Sequence, residues 1–386
     1  MEDSKTLLCV TARGGAASSD RIIDSVVSVD SAMTQVDRLV LDDSLPALGQ
    51  SDKLADTCRQ RGVAYYRAPR NLGVVRNVNL GLIAAKKFGY DFLVVTDSDV
   101  ICPGNLVDRL VSAYQENGDS AASVTALSSD ASIYSVPNKD PDKYLTNQDT
   151  VNWLSATLAG VFGGRAVDVP AGLSFCMLVP VAAIQRVGLM DPIFTLGYCH
   201  DVDWSCRSRA LGLRTYVAPG VFVYHARGDA AAAAGIFGQR GATVFSDERV
   251  IDTRYPAFRT DVADFEKSGE MARTTREAIR SIISAAGREL GYAVEVAELP
   301  HRDDDMQPLC TVTPSNNNVV LRYKGFRWAL DEHARGATRL RLDVRLAQIF
   351  ERAASVIEIR DHCAIGDSLA GNEAVVDTYA YPTRPV

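Results

Sequence analysis

The first hundred residues alternate between short runs of apolar, β-prone residues and longer stretches with apolar residues at helical spacing. The β-prone runs lie at residues 6–12, 36–42, 62–68 and 90–96, and the helical stretches at 20–33, 50–61 and 74–88. In the last of these, one face carries Val74, Val78, Leu82 and Ala85. Strands that alternate with helices usually form parallel sheets joined by crossover helices. The pattern therefore predicts an α/β domain that begins β-α-β-α-β-α-β.

The same pattern continues, less regularly, to residue 225. It predicts a helix at 104–116, a strand at 121–127 and a long polar excursion at 128–152, followed by strands at 172–179, 214–218 and 221–225 and helices at 181–187 and 202–211. Residues 227–241 place glycines around five consecutive alanines, a composition that suits a short helix between hinges. We therefore place the first domain at residues 1–245.

From about residue 260 the pattern changes and predicts a smaller α+β domain. A long helix is predicted at 261–290, short strands at 292–296, 309–312 and 319–323, and an Arg-rich helix at 337–354. This stretch contains no motif with recognisable chemistry, and the chain has no internal repeat. Residues 260–386 are thus predicted to be an accessory domain. Acceptor binding, capping of the first domain and homo-oligomer formation all remain open as its role.

Composition limits the class of protein. The chain has 386 residues, of which 47% are hydrophobic and 23% charged, which is ordinary for a globular protein with more than one core. Its net charge of -7 argues against a nucleic-acid-binding surface, which needs clustered Lys and Arg. No apolar run is long enough to span a bilayer, and the N-terminus lacks a signal pattern. These features predict a cytoplasmic protein.

The eight cysteines are scattered without a Cys-x-x-Cys pair, and several lie inside apolar runs. This distribution predicts reduced thiols in the core. A zinc site built from Cys199, His200 and Cys206 is the competing interpretation, although their spacing fits no common ligand pattern.

Three polar clusters directly follow predicted strands: residues 11–15 (TARGG), 41–44 (LDDS) and 97–99 (DSD). Ligands of open α/β sheets bind outside the carboxyl ends of the strands, so these clusters are the first candidates for a site. A bare Asp-x-Asp is most often a solvated turn. At this place, however, Asp97 and Asp99 suit a divalent cation that offsets charge on a departing diphosphate, because Mg²⁺ and Mn²⁺ prefer oxygen ligands.

Three further clusters contain residue types that bind anions or transfer protons. The run Arg70-Asn71-Leu72-Gly73 precedes a predicted helix that carries Arg76 in its first turn, where backbone amides favour anions, although a simple helix cap would look the same. Residues 197–204 (GYCHDVDW) place Asp201 at a predicted helix start, where a carboxylate is usually a cap. His225 ends a β-prone run and, taken alone, would be an ordinary buried or surface histidine.

The order of these clusters resembles the inverting glycosyltransferase family 2, which has a GT-A fold, and most closely its rhamnosyltransferase-like branch. The resemblance covers roughly residues 6–228 and rests on LDDS (41–44), RNLGVVRNVNLG (70–81), DSD (97–99), AGLSFCMLVPVAAIQRVGLMDPIF (171–194) and GYCHDVDWSCRSRALGLRTYVAPGVFVYH (197–225). It implies a Rossmann-like, mostly parallel sheet flanked by helices.

The resemblance also implies roles for single residues. Asp42 or Asp43 would bind the nucleotide base, Asp97 and Ser98 would lie against the sugar nucleotide with Asp97 on the ribose, and Asp99 would bind Mn²⁺ or Mg²⁺. His225 would be a further ligand of the metal or the diphosphate, and Asn71 and Arg76 would belong to the donor site. Asp201 maps to the general base that deprotonates the acceptor hydroxyl. The donor would be a UDP-, dTDP- or GDP-linked sugar.

The sequence departs from the family pattern at two places. His200 stands where the family usually has Glu, so His200 either supports Asp201 or acts as the base itself. The usual Tyr-Asn after the first strand is replaced by residues 12–15, where Arg13 either contacts the diphosphate or belongs to a flexible loop. Residues 172–177 and Trp204 either shape the acceptor pocket or belong to the core.

The sequence therefore predicts a metal-dependent, inverting glycosyltransferase. Its acceptor is open among glycans, lipids, proteins, small molecules and modified nucleobases. Two alternatives are a sugar-phosphate nucleotidyltransferase, for which TARGG only faintly resembles the usual phosphate loop, and a non-catalytic binding or assembly protein that retains the fold.

Overall fold

The computed structural model describes residues 4–12, 19–44, 51–136, 147–194, 198–225 and 240–290, and the strands at 293–296, 310–313, 318–323, 326–329 and 358–361. The chain divides into two compact units, Met1–Ile282 and Ile283–Val386. The sequence predicts that the second domain begins at residue 260. In the structure, the helical residues from 260 to 282 belong to the first unit instead.

The first unit contains most of the regular structure. Its strands are β1 (Lys5–Ala12), β2 (Gln35–Asp42), β3 (Ala64–Arg67), β4 (Phe92–Asp97), β5 (Val100–Ile101), β6 (Ala121–Ser128), β7 (Val167–Val169), β8 (Cys176–Pro180) and β9 (Arg214–His225). The α-helices among the described residues are α1 (Ser19–Ser28), α2 (Ser51–Gln60), α3 (Val74–Lys87), α4 (Leu106–Asn117), α5 (Gln148–Phe162), α6 (Val181–Val187), α7 (His200–Ala210), α8 (Arg240–Arg254), α9 (Phe258–Ser268) and α10 (Glu270–Leu290).

These nine strands form one mixed sheet in the order β3-β2-β1-β4-β8-β6-β9-β5, with β7 paired to β9. Strands β1, β2, β3, β4, β6 and β9 run in one direction, and β5, β7 and β8 run against them. The predicted α/β class, with a mostly parallel sheet flanked by helices, is confirmed. Because β1, β2 and β4 are neighbours and parallel, the residues after them lie at one edge of the sheet.

Helix α3 shows how the sequence pattern becomes packing. Its residues Val75, Val78, Leu82 and Ala85 are buried in a core that also contains Leu7, Cys9, Leu41 and Leu93 from three adjacent strands. Fully burying each larger aliphatic side chain contributes about 1.5–3 kcal/mol, so this face fixes the helix on the sheet. Gly73, with φ of 81°, precedes the helix in a conformation that suits glycine. The start of α3 is thereby held near the end of β2.

Several stretches differ from the prediction, and two of the differences have a clear local cause. The single helix predicted at 261–290 is two helices, α9 and α10, because Gly269 adopts the left-handed conformation with φ of 68° and ends the first of them. Within the predicted polar excursion, α5 begins at Gln148 and continues to Phe162. The Asn147 side chain accepts a hydrogen bond from the Thr150 N–H at 2.8 Å and caps this helix.

The second unit contains a five-stranded sheet in the order β13-β12-β11-β10-β14, formed by β10 (Ala293–Val296), β11 (Cys310–Thr313), β12 (Asn318–Tyr323), β13 (Phe326–Ala329) and β14 (Glu358–Asp361). Strands β10, β11 and β12 coincide with the three predicted strands. The helix predicted at 337–354 lies outside the described residues.

Strand β9 contains an irregularity that changes its register against β6. Ala126 pairs with Ala218, whereas the next residue of β6, Leu127, pairs with Phe222, so β9 contains three extra residues at this point. Gly220 lies among these three residues. A Cβ atom there would be 2.6 Å from the backbone carbonyl oxygen of Gly163. This close approach of two backbones explains why the position has no side chain.

Replacing Gly220 with Ala is therefore expected to destabilise the protein by about 1–3 kcal/mol, because a backbone carbonyl cannot move aside as a flexible side chain can. Denaturant unfolding measures the change. Gly160→Ala is the matched control, because no atom lies within 4 Å of its Cβ position and α5 would gain up to about 1 kcal/mol of helix propensity. Equal stability of the two variants would contradict the prediction.

Candidate active site

Strand pairing brings Asp97, Asp99 and His225 together from distant parts of the sequence. Asp97 is the last residue of β4, and β5 begins directly after Asp99. The short strand β5 then pairs antiparallel with the end of β9, with Val100 opposite His225. As a result, the His225 Nε2 atom lies 3.4 Å from Asp99 Oδ1. The Asp-x-Asp motif and the histidine thus form one cluster at the edge of the sheet.

This cluster has the composition of a divalent-cation site. Each of the three residues offers one ligand atom, and these atoms all lie within 4.8 Å of one another. Nδ1 of His225 lies 2.9 Å from the carbonyl oxygen of Asp130, to which an Nδ1–H donates, so Nε2 is directed at Asp99. A hydrogen bond of this kind commonly orients a metal-binding imidazole. Two carboxylates and one imidazole suit Mn²⁺ or Mg²⁺, so these residues fit the metal that the resemblance implies.

The charges of the cluster are strongly coupled. Burial lowers the pKa of His225, but its hydrogen bond with Asp99 and the negative charges of Asp99 and Asp97 outweigh burial and raise the pKa to about 9. A protonated imidazole therefore offsets part of the carboxylate charge at neutral pH. The two carboxylates thus favour a positive charge beside them.

Two residues for which the sequence predicts no role at the metal, Thr11 and Phe175, hold this cluster in place. The Phe175 ring stacks on the His225 ring with centroids 5.2 Å apart and an interplanar angle of 8°. The Phe175 carbonyl oxygen accepts a hydrogen bond from the Asp97 N–H at 2.9 Å, and the Thr11 hydroxyl donates to Asp97 Oδ1 at 3.1 Å. Both candidate ligands are therefore fixed by neighbours on β1 and next to β8.

Asp42 lies at the same edge of the sheet. It is opposite Ala12 of β1, and Asp97 is opposite the preceding residue, Thr11, so two strand spacings of about 4.8 Å separate the two positions. Asp42 is buried, and it accepts hydrogen bonds from the Tyr65 hydroxyl at 2.6 Å and the Ser44 N–H at 2.9 Å. Burial by itself raises the pKa of Asp42, but hydrogen bonds from Ser44, Tyr65 and Ser51 outweigh it and lower the pKa.

Asp43 fastens the loop before α3. Its carboxylate accepts hydrogen bonds from the backbone N–H groups of Leu72 and Gly73, the second at 2.8 Å, while its carbonyl accepts one from the Asn71 amide at 2.6 Å. Asp43 and Asn71 therefore have clear local partners. Their predicted contact with the donor, like that of Asp42, stays a prediction.

The remaining predicted donor residues are placed less distinctly. Arg76 lies in the first turn of α3, with a single long contact of 3.5 Å to the Leu72 carbonyl oxygen. Ser98 is half-buried between the two aspartates of the motif. Arg13 lies outside the described residues.

Helix α7 positions the second predicted group, His200 and Asp201, in its first turn. The residue before them, Cys199, has the left-handed φ of 62°, which is uncommon outside glycine and sharply redirects the chain into the helix. Asp201 is half-buried, and its Oδ2 accepts a hydrogen bond from the Ser174 N–H at 3.3 Å. His200 is only 2% exposed, and its Nε2 lies 3.0 Å from the Ser174 hydroxyl. The carboxylate is thus more accessible than the imidazole.

The alternative zinc site is not formed. Among the described residues, Asp97, Asp99 and His225 are the one His, Cys, Asp and Glu group close enough to hold a metal. Burial is the main cause that raises the thiol pKa of Cys199 to about 12 and of Cys206 to about 11, which disfavours the thiolates that zinc requires. Six cysteines have side chains that the structure describes, and these are free and at least half-buried, as predicted for core thiols.

Two other neighbours of the predicted base belong to the core. Trp204 is 1% exposed, and its indole N–H donates to the Gly188 carbonyl oxygen at 3.0 Å. Asp203 is fully buried and pairs with Arg207 and Arg254. Of the two carboxylates in the first turn of α7, Asp201 is therefore the accessible one.

No helix within the described part of the chain is both long and apolar enough to cross a bilayer.

Comparison with known proteins finds a family model that is similar to part of this unit. Residues 21–168 match the family model described as Glycosyl transferase family 2. A comparison with proteins of curated function found no match. The predicted resemblance to family 2 is confirmed over the matched region, which contains Asp42, Asp43, Asp97 and Asp99. The closer resemblance to the rhamnosyltransferase-like branch stays a prediction.

Solved structures of low sequence identity are also similar. They include GalNAc-T7 with UDP, GalNAc and Mn²⁺ (15% identity, 57% of this chain and 43% of that chain, TM-score 0.43). A second is mannosyltransferase PcManGT from Pyrobaculum calidifontis with GDP-Man and Mn²⁺ (15%, 74% and 75%, 0.42). A third is S. aureus TarS 1-349 with UDP-GlcNAc (14%, 73% and 81%, 0.45). The chain spans less than half of the length of GalNAc-T7. All three TM-scores are below 0.5, so the description of the fold rests on the sheet itself.

Proposed function

We propose that this chain is a glycosyltransferase that moves a sugar from a nucleotide-diphosphate donor to an acceptor hydroxyl, with inversion at the anomeric carbon. One observation carries the proposal: ligand atoms of Asp97, Asp99 and His225 lie within 4.8 Å of one another at the edge of the sheet, and the two aspartates lie in the region, residues 21–168, that matches the family model. If the Asp-x-Asp motif were only a structural turn, there would be no need for the pairing of β5 with β9 to place a histidine beside it.

On the donor side, the cluster is the proposed diphosphate end of the site. Asp97, Asp99 and His225 would hold Mn²⁺ or Mg²⁺, which, when bound, supplies electrostatic stabilisation of the diphosphate leaving group. Asp42 lies two strands away at the same edge, which suits the nucleoside end of an extended donor. Its lowered pKa keeps this carboxylate ionised, and the Tyr65 hydroxyl and the Ser44 N–H hold it in place.

On the acceptor side, Asp201 is the proposed general base. The acceptor oxygen forms a bond to the anomeric carbon while its proton passes to the Asp201 carboxylate. The bond from the anomeric carbon to the diphosphate oxygen breaks, and its electron pair leaves with the nucleotide diphosphate. The half-buried Asp201 supports this assignment better than His200, since a base must reach the acceptor proton and His200 is almost completely enclosed.

A donor screen tests the proposal. Nucleotide release from UDP-, dTDP- and GDP-linked sugars is measured with Mn²⁺, with Mg²⁺ and with a chelator, for the wild type and for Asp99→Ala. We expect one donor class to be turned over with metal, and a loss of about a thousandfold in kcat/KM for Asp99→Ala, because metal stabilisation of a leaving group is worth several kcal/mol.

The matched control is Asp56→Asn. Asp56 lies on α2, its side chain is 59% exposed, and it pairs only at the surface with Arg59, so this variant is expected to keep full activity. Two results would contradict the proposal: no metal-dependent binding or turnover of any donor by the wild type, or equal turnover by Asp99→Ala. The first would favour a non-catalytic binding protein.

A further inference from the structure

One short stretch of backbone connects the metal cluster with the proposed base. Residues 171–175, the linking segment, run from the end of β7 toward the start of β8 and pass between α7 and the strands β4 and β6. Hydrogen bonds or ring contacts fix every residue of this segment. It therefore behaves as a structural part of the site and not as a free loop.

The first half of the linking segment is attached to the protein behind the site. The Ala171 carbonyl oxygen accepts a hydrogen bond from the Tyr134 hydroxyl at 2.6 Å. The Gly172 N–H donates to the Ser205 hydroxyl at 3.1 Å, and the Leu173 N–H donates to the Thr125 hydroxyl at 3.0 Å. Gly172 has no room for a side chain, because a Cβ atom would lie 2.9 Å from the Ser123 hydroxyl oxygen. This half of the segment is a rigid support for the residues that follow.

The second half contacts both functional groups. Ser174 holds α7 at two neighbouring residues: its N–H donates to Asp201 Oδ2 at 3.3 Å, and its hydroxyl lies 3.0 Å from His200 Nε2. The next residue, Phe175, stacks on His225 and accepts the hydrogen bond from the Asp97 N–H. Adjacent residues of one segment thus contact the proposed base and the proposed metal ligands.

We propose that Ser174, anchored by His200, is a positioning residue that fixes the orientation of the Asp201 carboxylate. The proposal rests on the proposed function, because it assigns Asp201 the role of the base. Asp201 Oδ1 accepts a hydrogen bond from the Val202 N–H at 2.9 Å, so the Ser174 N–H on Oδ2 holds the second oxygen and thereby fixes the plane of the carboxylate. The bond between the Ser174 side chain and His200 fixes the peptide whose N–H makes that contact. This gives His200 a supporting role.

The contact between Ser174 and His200 explains why a histidine can occupy position 200. The His200 residue is 2% exposed, so its imidazole is poorly placed to meet an acceptor, but its Nε2 lies within hydrogen-bond distance of Ser174, which contacts the neighbouring carboxylate. A general base that is displaced by about 1 Å can lose up to a hundredfold in rate. Loss of either partner should therefore affect the chemical step and spare donor binding.

The experiment compares the Ser174→Ala, His200→Phe and double variants of the full chain with the wild type, using the donor found in the screen. We expect each single variant to lower kcat of transfer by about 10- to 100-fold, with donor KM and metal-dependent binding of the nucleotide diphosphate changed less than twofold. Because the two residues act as a pair, the double variant is expected to be no slower than the slower single variant. Ser208→Ala is the control, since Ser208 is equally buried on α7 and donates only to the Trp204 carbonyl oxygen at 2.8 Å.

A second measurement does not depend on turnover. The ¹⁵N chemical shifts of the His200 imidazole, assigned with His200→Phe, are expected to show a hydrogen-bonded Nε2 in the wild type and a change at that atom in Ser174→Ala. Wild-type turnover with an unchanged kcat in Ser174→Ala, or unchanged imidazole shifts, would overturn the positioning role alone. Absence of turnover in the wild type would overturn the proposed function, and with it the role of Asp201 that Ser174 supports.

Discussion

Replacing Asp201 with Asn is expected to lower kcat of sugar transfer by about 10²- to 10⁴-fold, the range that a well-placed general base contributes. The amide has nearly the same shape as the carboxylate and can still accept the Ser174 N–H at one oxygen, but it cannot take the acceptor proton. Initial rates at saturating donor and acceptor measure the loss.

The same variant should bind donor and metal normally, because the cluster of Asp97, Asp99 and His225 does not include Asp201. Calorimetric titration of the nucleotide diphosphate in the presence of Mn²⁺ checks this point. A kcat within threefold of the wild-type value would show that another group removes the proton. A loss of donor binding would place Asp201 in the donor site.

Replacing Asp203 with Asn, only two residues along α7, is expected to affect stability instead of chemistry. Asp203 is fully buried and accepts contacts from Arg207 at 2.8 Å, Arg254 at 2.9 Å and the Tyr255 hydroxyl at 2.8 Å. Removing the charge leaves two guanidinium groups without their shared partner. Breaking a buried pair costs about 3–5 kcal/mol, and because both arginine side chains are about one-third exposed we expect about 2–3 kcal/mol.

Thermal unfolding measures this change, which corresponds to a decrease in Tm of roughly 5–10 °C for a unit of this size. Asp168→Asn is the matched control, since Asp168 is 44% exposed and pairs with Arg209 at the surface, where an ion pair contributes less than about 1 kcal/mol. The activity of folded Asp203→Asn should stay near that of the wild type. Unchanged stability would mean that water or other groups replace the carboxylate.

The elements that the sequence predicted best are those with a strong local pattern. Strands β1, β2 and β4 and helix α3 carry apolar residues at the period of their own structure, so the pattern and the fold agree. The Asp97 and Asp99 motif follows from this, because a polar pair directly after a buried strand must lie at the edge of a parallel sheet. His225 joined them only through the resemblance, as its contact with Asp99 depends on strand pairing across more than a hundred residues.

Other features depend on partners that a linear pattern does not indicate. The sequence places Asp201 and Asp203 in the same helical turn, yet only tertiary contacts from α8 show that Asp203 is part of the core. Asp43 likewise carries a local role, since the backbone N–H groups of Leu72 and Gly73 bind its carboxylate. Ser174 and Phe175 lie in the segment that the sequence left open between the acceptor pocket and the core. Their contacts arise where the chain crosses between α7 and the sheet.

The irregularity in β9 has a consequence for how this protein can vary. Its three extra residues lie between the part of β9 that pairs regularly with β6 at Ala218 and the end that pairs with β5 at His225. The number of residues there sets which side chain arrives opposite Val100. Deleting one of them would bring Ala226 to that position and point the imidazole elsewhere, since neighbouring residues of a strand face opposite sides. Homologous chains that share this cluster should therefore keep the length of this stretch, and a glycine at the position of Gly220.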